Sequence, residues 1–246
     1  MENLKEIENV RKTTLSNGLR IVTENISSVK SISVGIWVKT GSRNETVKQA
    51  GITHFLEHML FKGTDTRSAY DIALSMEAVG GFLNAFTSSE YTCYYARCVD
   101  TQIDRALDVL SDMVLNPSFP EEEVEKEKKV VIEEMKMYRD SPDDFLFEEF
   151  NAKIFEGHEL GRPILGNEES VSSFTRDDLY AYMKERYRSG NILIAAAGNV
   201  NHDKVVEMIS NVLGELEASD VTNPEQPLED LVPEKLVLTK PIEQTH

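Results

Sequence analysis

Positive charge is scarce in this chain: 26 Lys and Arg stand against 43 Asp and Glu, a formal net charge of −17 over 246 residues. A nucleic-acid partner needs a basic face to displace counterions from phosphates, and this balance hardly supplies one. Surplus acid favours cationic ligands instead, although it also serves plain solubility. Cysteine is almost absent as well. Cys93 and Cys98 are five positions apart in a β-prone run, where odd spacing sends side chains to opposite faces. No disulfide is expected between them, and a reducing cytoplasm fits. No run of eighteen apolar residues occurs, so no membrane-spanning helix is expected. The start, Met1-Glu2-Asn3-Leu4-Lys5-Glu6, has neither the basic flank of a secretory signal nor the arginines of a transit peptide, which speaks for the cytoplasm over the mitochondrial matrix.

Hydrophobic residues make up 40% of the chain, enough for a substantial core. Asn17-Gly18, between β-prone runs, marks a tight hairpin turn. Ile32, Val34, Ile36 and Val38 alternate with Ser33, Gly35 and Trp37, the pattern of a strand with one buried face. Helical patterning follows from about Ala50 to Phe61 and from Ser68 to Val79, the second stopped by Gly80-Gly81. Residues 82–87 and 91–99 form a second hairpin pattern, and helices are predicted over 104–114, over 121–138 and, after Ser141-Pro142, on to Ile154. A short apolar strand at 192–197 lies between helices near 175–187 and 203–213. Hairpins mixed with helices, without strict alternation, predict the α+β class: a mostly antiparallel sheet with helices packed on one face, in two layers. Residues 1–214 are expected to form one domain. Residues 215–235 turn polar and carry Pro224, Pro227 and Pro233, a linker composition, and 236–246 begin something new.

The chemistry centres on His54-Phe55-Leu56-Glu57-His58. The two histidines, four apart on a predicted helix, project from one face and can reach one metal ion. The order His-x-x-Glu-His inverts the commoner His-Glu-x-x-His motif of zinc peptidases. Histidines buried for packing alone would leave an ionisable Glu57 among Phe55, Leu56, Met59 and Leu60 without a reason. A catalytic zinc site takes three protein ligands and an open position, so a third ligand must come from elsewhere. On the acidic helix, Val124, Val131, Met135 and Tyr138 recur at helical spacing and define a buried stripe. Glu127 and Glu134 fall on or beside that stripe, while Glu133 points nearer to solvent. Carboxylates aimed inward require a cation or partners. A solvated face laced with Lys126, Lys128 and Lys129 accounts for residues 121–125 but poorly for Glu127 and Glu134.

These residues resemble the pitrilysin-like inverted-motif zinc peptidases, a family that includes mitochondrial processing peptidase β subunits and bacterial processing proteases. The resemblance runs from about Thr14 to Leu213. It is carried by Gly41-Ser42-Arg43-Asn44-Glu45, by the stretch from His54 to Thr64, by Gly81-Phe82-Leu83-Asn84-Ala85-Phe86-Thr87 and by Val131-Ile132-Glu133-Glu134-Met135. Glu134 stands 76 residues beyond His58, the spacing at which the family keeps its third ligand. The resemblance implies that His54, His58 and Glu134 bind Zn2+, that Glu57 is the base that takes a proton from the attacking water, and that Glu127 supports the site from behind. It also implies that Asn84, Ala85 and Thr87 lie on an edge strand whose backbone pairs with an extended peptide. The plainer alternative for that segment is an ordinary hairpin strand with Phe82 and Phe86 in the core.

Members of this family have two similar halves that close like a clamshell over the peptide. The resemblance here covers the first, and residues 236–246 resemble the opening of the second. The expectation is a zinc metalloendopeptidase half acting on extended, cationic peptides or presequences. Its partner would be a second homologous half in cis or trans, with a homodimer as one such arrangement, and the isolated half would be weakly active or inactive. The rivals are a non-catalytic scaffold subunit and a metal-independent peptide-binding half; the intact set of His54, Glu57, His58 and Glu134 favours the enzyme.

Overall fold

In the computed structural model, residues 9–218 are described, together with Pro227, Lys235, Val237 and Leu238. Most of the expected linker and the expected start of a second domain lie outside these residues. Six strands, β1 (Val10–Thr14), β2 (Arg20–Asn25), β3 (Ser31–Val38), β4 (Phe82–Thr87), β5 (Thr92–Val99) and β6 (Ile192–Gly198), form one sheet in the order β1-β2-β6-β3-β5-β4. Four of its pairings are antiparallel; the fifth, β2 with β6, is parallel, Arg20 lying opposite Leu193. The helices are α1 (Ile52–Leu60), α2 (Ala69–Glu77), α3 (Ile103–Leu115), α4 (Glu121–Asp140), α5 (Pro142–Ile154), α6 (Glu168–Ser173), α7 (Arg176–Arg186) and α8 (His202–Leu213). The α+β class and the predominantly antiparallel sheet agree with expectation. The six-residue α6 and the parallel pair were not foreseen.

Period-two alternation sorts the sheet into two unlike faces. Ile21, Ile32, Val34, Ile36, Val38, Tyr94, Ile192 and Ile194 point to one side and are buried. Each such aliphatic side chain contributes about 1.5–3 kcal/mol when fully buried. Leu56, Met59, Leu107, Leu110 and Ile209 complete this core from the helices. The other side carries Trp37, Phe82, Phe86 and Tyr95, with Trp37 edge-on to Phe86 at 5.7 Å. Phe82 and Phe86 are 49% and 39% exposed, so they are not core residues as an ordinary hairpin strand would have them. Cys93 and Cys98 are free and buried, and only Cys98 packs in the main hydrophobic cluster, in keeping with opposite faces.

Two glycines decide where α1 begins. Gly51 has φ +88°, and a Cβ there would lie 2.3 Å from the Leu165 carbonyl oxygen; Gly166, at φ +75°, would place its Cβ 2.2 Å from the Ala50 oxygen. The two backbones therefore cross in direct contact, which only residues without side chains permit. On α4, Val124, Glu127, Val131 and Met135 are buried. Tyr138, expected in the same stripe, is 42% exposed and Met137 is 71% exposed, because the last turn of the helix has run out past the core.

Candidate metal centre

Helix α1 packs against α4 and against β4, which brings the motif histidines to face the buried stripe of α4. One ligand atom each from His54, His58 and Glu134 can be chosen so that all lie within 4.8 Å of one another. Glu134 Oε2 is 3.8 Å from His54 Nε2 and 3.5 Å from His58 Nε2. Those separations are long for hydrogen bonds. Donor atoms held at about 2.0–2.2 Å by a tetrahedral ion stand roughly 3.4 Å apart, so two imidazoles and a carboxylate at these distances fit a divalent cation.

Behind this trio the polar groups are arranged in a chain. Glu127, buried in the α1–α4 interface, binds His58 Nδ1 with Oε1 at 3.0 Å and Lys62 Nζ with Oε2 at 2.8 Å. The His58 Nδ1–H donates to that carboxylate, which leaves the Nε2 lone pair free for a ligand. Burial pushes Glu127 up, but the hydrogen bonds from His58 and Lys62 outweigh it and hold the carboxyl below its usual range. Burial, reinforced by His58, drives His54 down to about 3. A neutral imidazole is the form that a metal requires. His54 Nδ1 is buried and has no hydrogen-bond partner.

Glu57 points the other way, toward β4. Leu83, Ala85 and Thr87 are the helix-side residues of that strand, and the Thr87 hydroxyl donates to Glu57 Oε2 at 2.5 Å. Burial raises the Glu57 carboxyl and Glu134 adds to the rise, while Thr87 and His58 oppose it. A carboxylate raised in this way is suited to holding a proton in transit. Among the described residues strand β4 pairs only with β5, which leaves its outer edge without a strand partner there. Asn84 lies on the open face of the sheet, and its Oδ1 accepts the Ala85 N–H at 2.9 Å. The candidate site residues His54, Glu57, His58, Glu127 and Glu134 thus converge, with Thr87 touching Glu57. Ala85 and Asn84 offer backbone along the adjacent edge. Glu133, set aside on helical phase, is indeed outside, paired with Lys136 at 2.7 Å.

Three partners went unread in the sequence. Lys62 stands four residues after His58, and a buried Glu127 demanded a second counter-group; together those two signals pointed to it. The Thr87 hydroxyl on Glu57 had no local signal. Glu45 is buried in the loop before α1, where its Oε2 accepts Gly51 N–H at 2.7 Å and its Oε1 accepts Thr53 N–H at 2.9 Å. Burial pushes its carboxyl up to about 8, against the pull of those donors and of Arg162.

The family model described as insulinase, peptidase family M16, matches residues 20–168. The one described as the M16 inactive domain matches residues 173–246, a stretch that includes β6, which lies between β2 and β3 in the sheet. The uncharacterized zinc protease YmxG of Bacillus subtilis is 46% identical over 238 residues, 96% of this chain and 58% of that protein. A probable mitochondrial-processing peptidase subunit beta of Arabidopsis thaliana is 43% identical over 212 residues, 86% of this chain and 40% of that protein. Among solved structures, a protease from Helicobacter pylori superposes with a TM-score of 0.81 at 27% identity, covering 92% of this chain and 54% of that one. The chain spans about half the length of the curated relatives it matches.

Proposed function

From the premise that the chain belongs to the insulinase family of peptidases, family M16, we propose that it is the zinc-binding half of a metalloendopeptidase. The observation that carries this is the approach of ligand atoms of His54, His58 and Glu134 within 4.8 Å of one another, next to a partly buried Glu57. His54, His58 and Glu134 are the three protein ligands, and Glu127 fixes His58 from behind. A zinc ion held by these three side chains would supply Lewis acidity, lowering the pKa of water toward about 7 and polarising a peptide carbonyl. Glu57 accepts the proton on its carboxylate and returns it to the leaving amine. The Thr87 hydroxyl keeps that carboxylate turned toward β4, the side from which substrate arrives.

The substrate is an extended peptide that adds to the free edge of β4 at Asn84, Ala85 and Thr87, so that main-chain pairing supplies binding with little demand on sequence. A net charge of −17 favours cationic peptides of the presequence kind, with capture weakening as salt rises. One edge leaves the far side of the peptide in water. A second homologous half, in cis or as a partner chain, is therefore needed to orient it and exclude solvent, and residues 1–246 alone should turn over at least about a hundredfold more slowly than a two-half enzyme. The domain limits follow the same logic: residues 1–214 as the metal-binding domain, 215–235 as linker and 236–246 as the start of the second half.

A second proposal, a non-catalytic or scaffold half, is favoured by one finding: the family model that matches residues 173–246 is described as inactive. Hydrolysis of an unstructured Lys/Arg-rich peptide, with and without a chelator and with and without the complementary half, separates the two. Chelator-sensitive cleavage supports the peptidase. Tight peptide binding without cleavage in every combination supports the scaffold.

A further inference from the structure

We propose that Glu45 is a positioning residue for the metal-binding helix: its carboxyl group, reaching forward from the preceding loop, sets the first turn of α1 and through it His54. The first four N–H groups of a helix have no partner within it, and a side chain at the N-cap usually takes one or two of them. Here the N-cap is Gly51, which has no side chain and sits in the left-handed region because the 165–166 backbone crosses it. The capping role has passed to Glu45. One oxygen takes the Gly51 amide and the other takes the Thr53 amide.

Glu45 is itself held. The Arg162 guanidinium donates to the backbone carbonyls of Arg43 and Glu45, and Arg43 pairs with Glu159 at 2.8 Å. Thr53 is gripped from a second direction, its hydroxyl bonding Tyr182 OH at 2.8 Å, which in turn bonds Thr40 Oγ1 at 2.9 Å. The residue after Thr53 is His54. Its ring has no hydrogen bond through Nδ1 to orient it, whereas His58 is fixed by Glu127. His54 therefore depends on its backbone for its attitude, and the backbone of that turn hangs on Glu45.

The geometry stands without a metal; its consequence for zinc rests on the function proposed above. Glu45→Gln keeps the shape but turns an N–H donor toward one of the two amides. In metal-free protein, amide exchange at Gly51 and Thr53 should quicken at least about tenfold while the β6 amides keep their rates, and zinc affinity should fall about tenfold. Thr23→Val, which breaks a buried hydrogen bond to His202, is the control for general destabilisation: it should lower Tm and leave zinc affinity alone. Unchanged exchange at Gly51 and Thr53, or quickened exchange with full zinc affinity, overturns the proposal. If Glu45→Gln does not fold, the unmodified protein decides, since fast exchange at those two amides would show that no anchor exists. Unmodified protein that binds no zinc but shows protected Gly51 and Thr53 amides, loosened by Glu45→Gln, retains the anchor and refutes the metal site instead.

Discussion

Two buried histidine sites lie toward opposite edges of the same sheet, and they are finished differently. Near the β1–β2 edge, His202 is closed on both sides: Nε2 bonds Thr13 Oγ1 and Nδ1 bonds Thr23 Oγ1, each at 2.8 Å. Near the β4 edge, His54 and His58 have their Nε2 atoms turned toward Glu134 at 3.8 and 3.5 Å, and His54 Nδ1 has no partner. Hydroxyls can donate or accept, so His202 is satisfied as it stands. The pair on α1 leaves both Nε2 atoms facing Glu134 at more than ordinary hydrogen-bond length, an arrangement that a cation between the three groups would satisfy. On the function proposed above, a structural histidine and a ligand histidine are thus told apart by what is left open and not by burial, which is similar for His202 and His54 at 5% and 8% exposure.

The largest effect expected across this divide is on turnover. Glu57→Gln should leave zinc binding intact and reduce peptide hydrolysis by about 10²–10⁴-fold, because the proton acceptor is lost and the ligand set is not. Near-normal turnover in that variant would remove Glu57 from the mechanism. Next comes the metal itself. His54→Gln or Glu134→Gln should weaken zinc binding by at least about a hundredfold, beyond what loss of an outer partner brings, while His202→Gln and Glu133→Gln should not change it. Equal losses at His54 and His202 in a zinc titration would break the comparison outright.

A smaller effect separates the two α1 histidines. His58 has a partner behind it and His54 has none, so Glu127→Gln should cost about 10–100-fold in zinc affinity and Lys62→Met about tenfold, acting through His58 alone. A double-mutant cycle of Lys62→Met with Glu127→Gln sharpens this: the effects should be far from additive, since Lys62 acts on the metal site only through the Glu127 carboxylate. Additive losses would show that Lys62 reaches the site by another route.

Much of this arrangement was legible from spacing alone. Positions 54 and 58 share a helix face, and the stripe on α4 put Glu127 inside and Glu133 outside, because helical phase is a local property. Strand alternation likewise separated Val34 and Ile36 from Ser33 and Trp37. Contacts that depend on which strand sits beside which were not legible. The parallel pairing of β2 with β6 joins residues about 170 apart, and nothing local in either strand names its neighbour. Thr87 meets Glu57, and Glu45 meets Gly51, only because loops and an edge strand carry them there, and loops have no period to read. The bland expectation for Phe82 and Phe86 failed for a related reason: alternation says which residues share a face but not which face is covered.

The smallest effect concerns the closed histidine, and its sign follows from its surroundings. Burial, with Arg11 adding to it and Asp203 opposing, lowers the pKa of His202 below its ordinary value of 6.5. The unfolded chain therefore takes up a proton before the folded one does. Neutral His202 is tolerated fully above about pH 6.5, and stability is lost as pH falls from there toward the folded value, by at most about 1.4 kcal/mol per pH unit. Among the other shifted groups that tilt the same curve, two have large shifts. In metal-free protein His54, lowered to about 3, adds a slope of the same sign. Glu45, raised to about 8, works against it, since its folded form holds a proton that the unfolded chain has released between about pH 4.5 and 8. The bare curve therefore does not isolate His202, but a difference does. Denaturant unfolding of the unmodified protein and of His202→Gln, both zinc-free, should show the stability advantage of the unmodified protein largest near pH 7.5 and shrinking toward pH 5. With zinc added, the His54 slope becomes part of metal release while the His202 difference stays as it was. Curves that run parallel from pH 8 to pH 5 would mean that His202 is not held neutral by its burial, and that the two histidine sites differ less than their hydrogen bonds suggest.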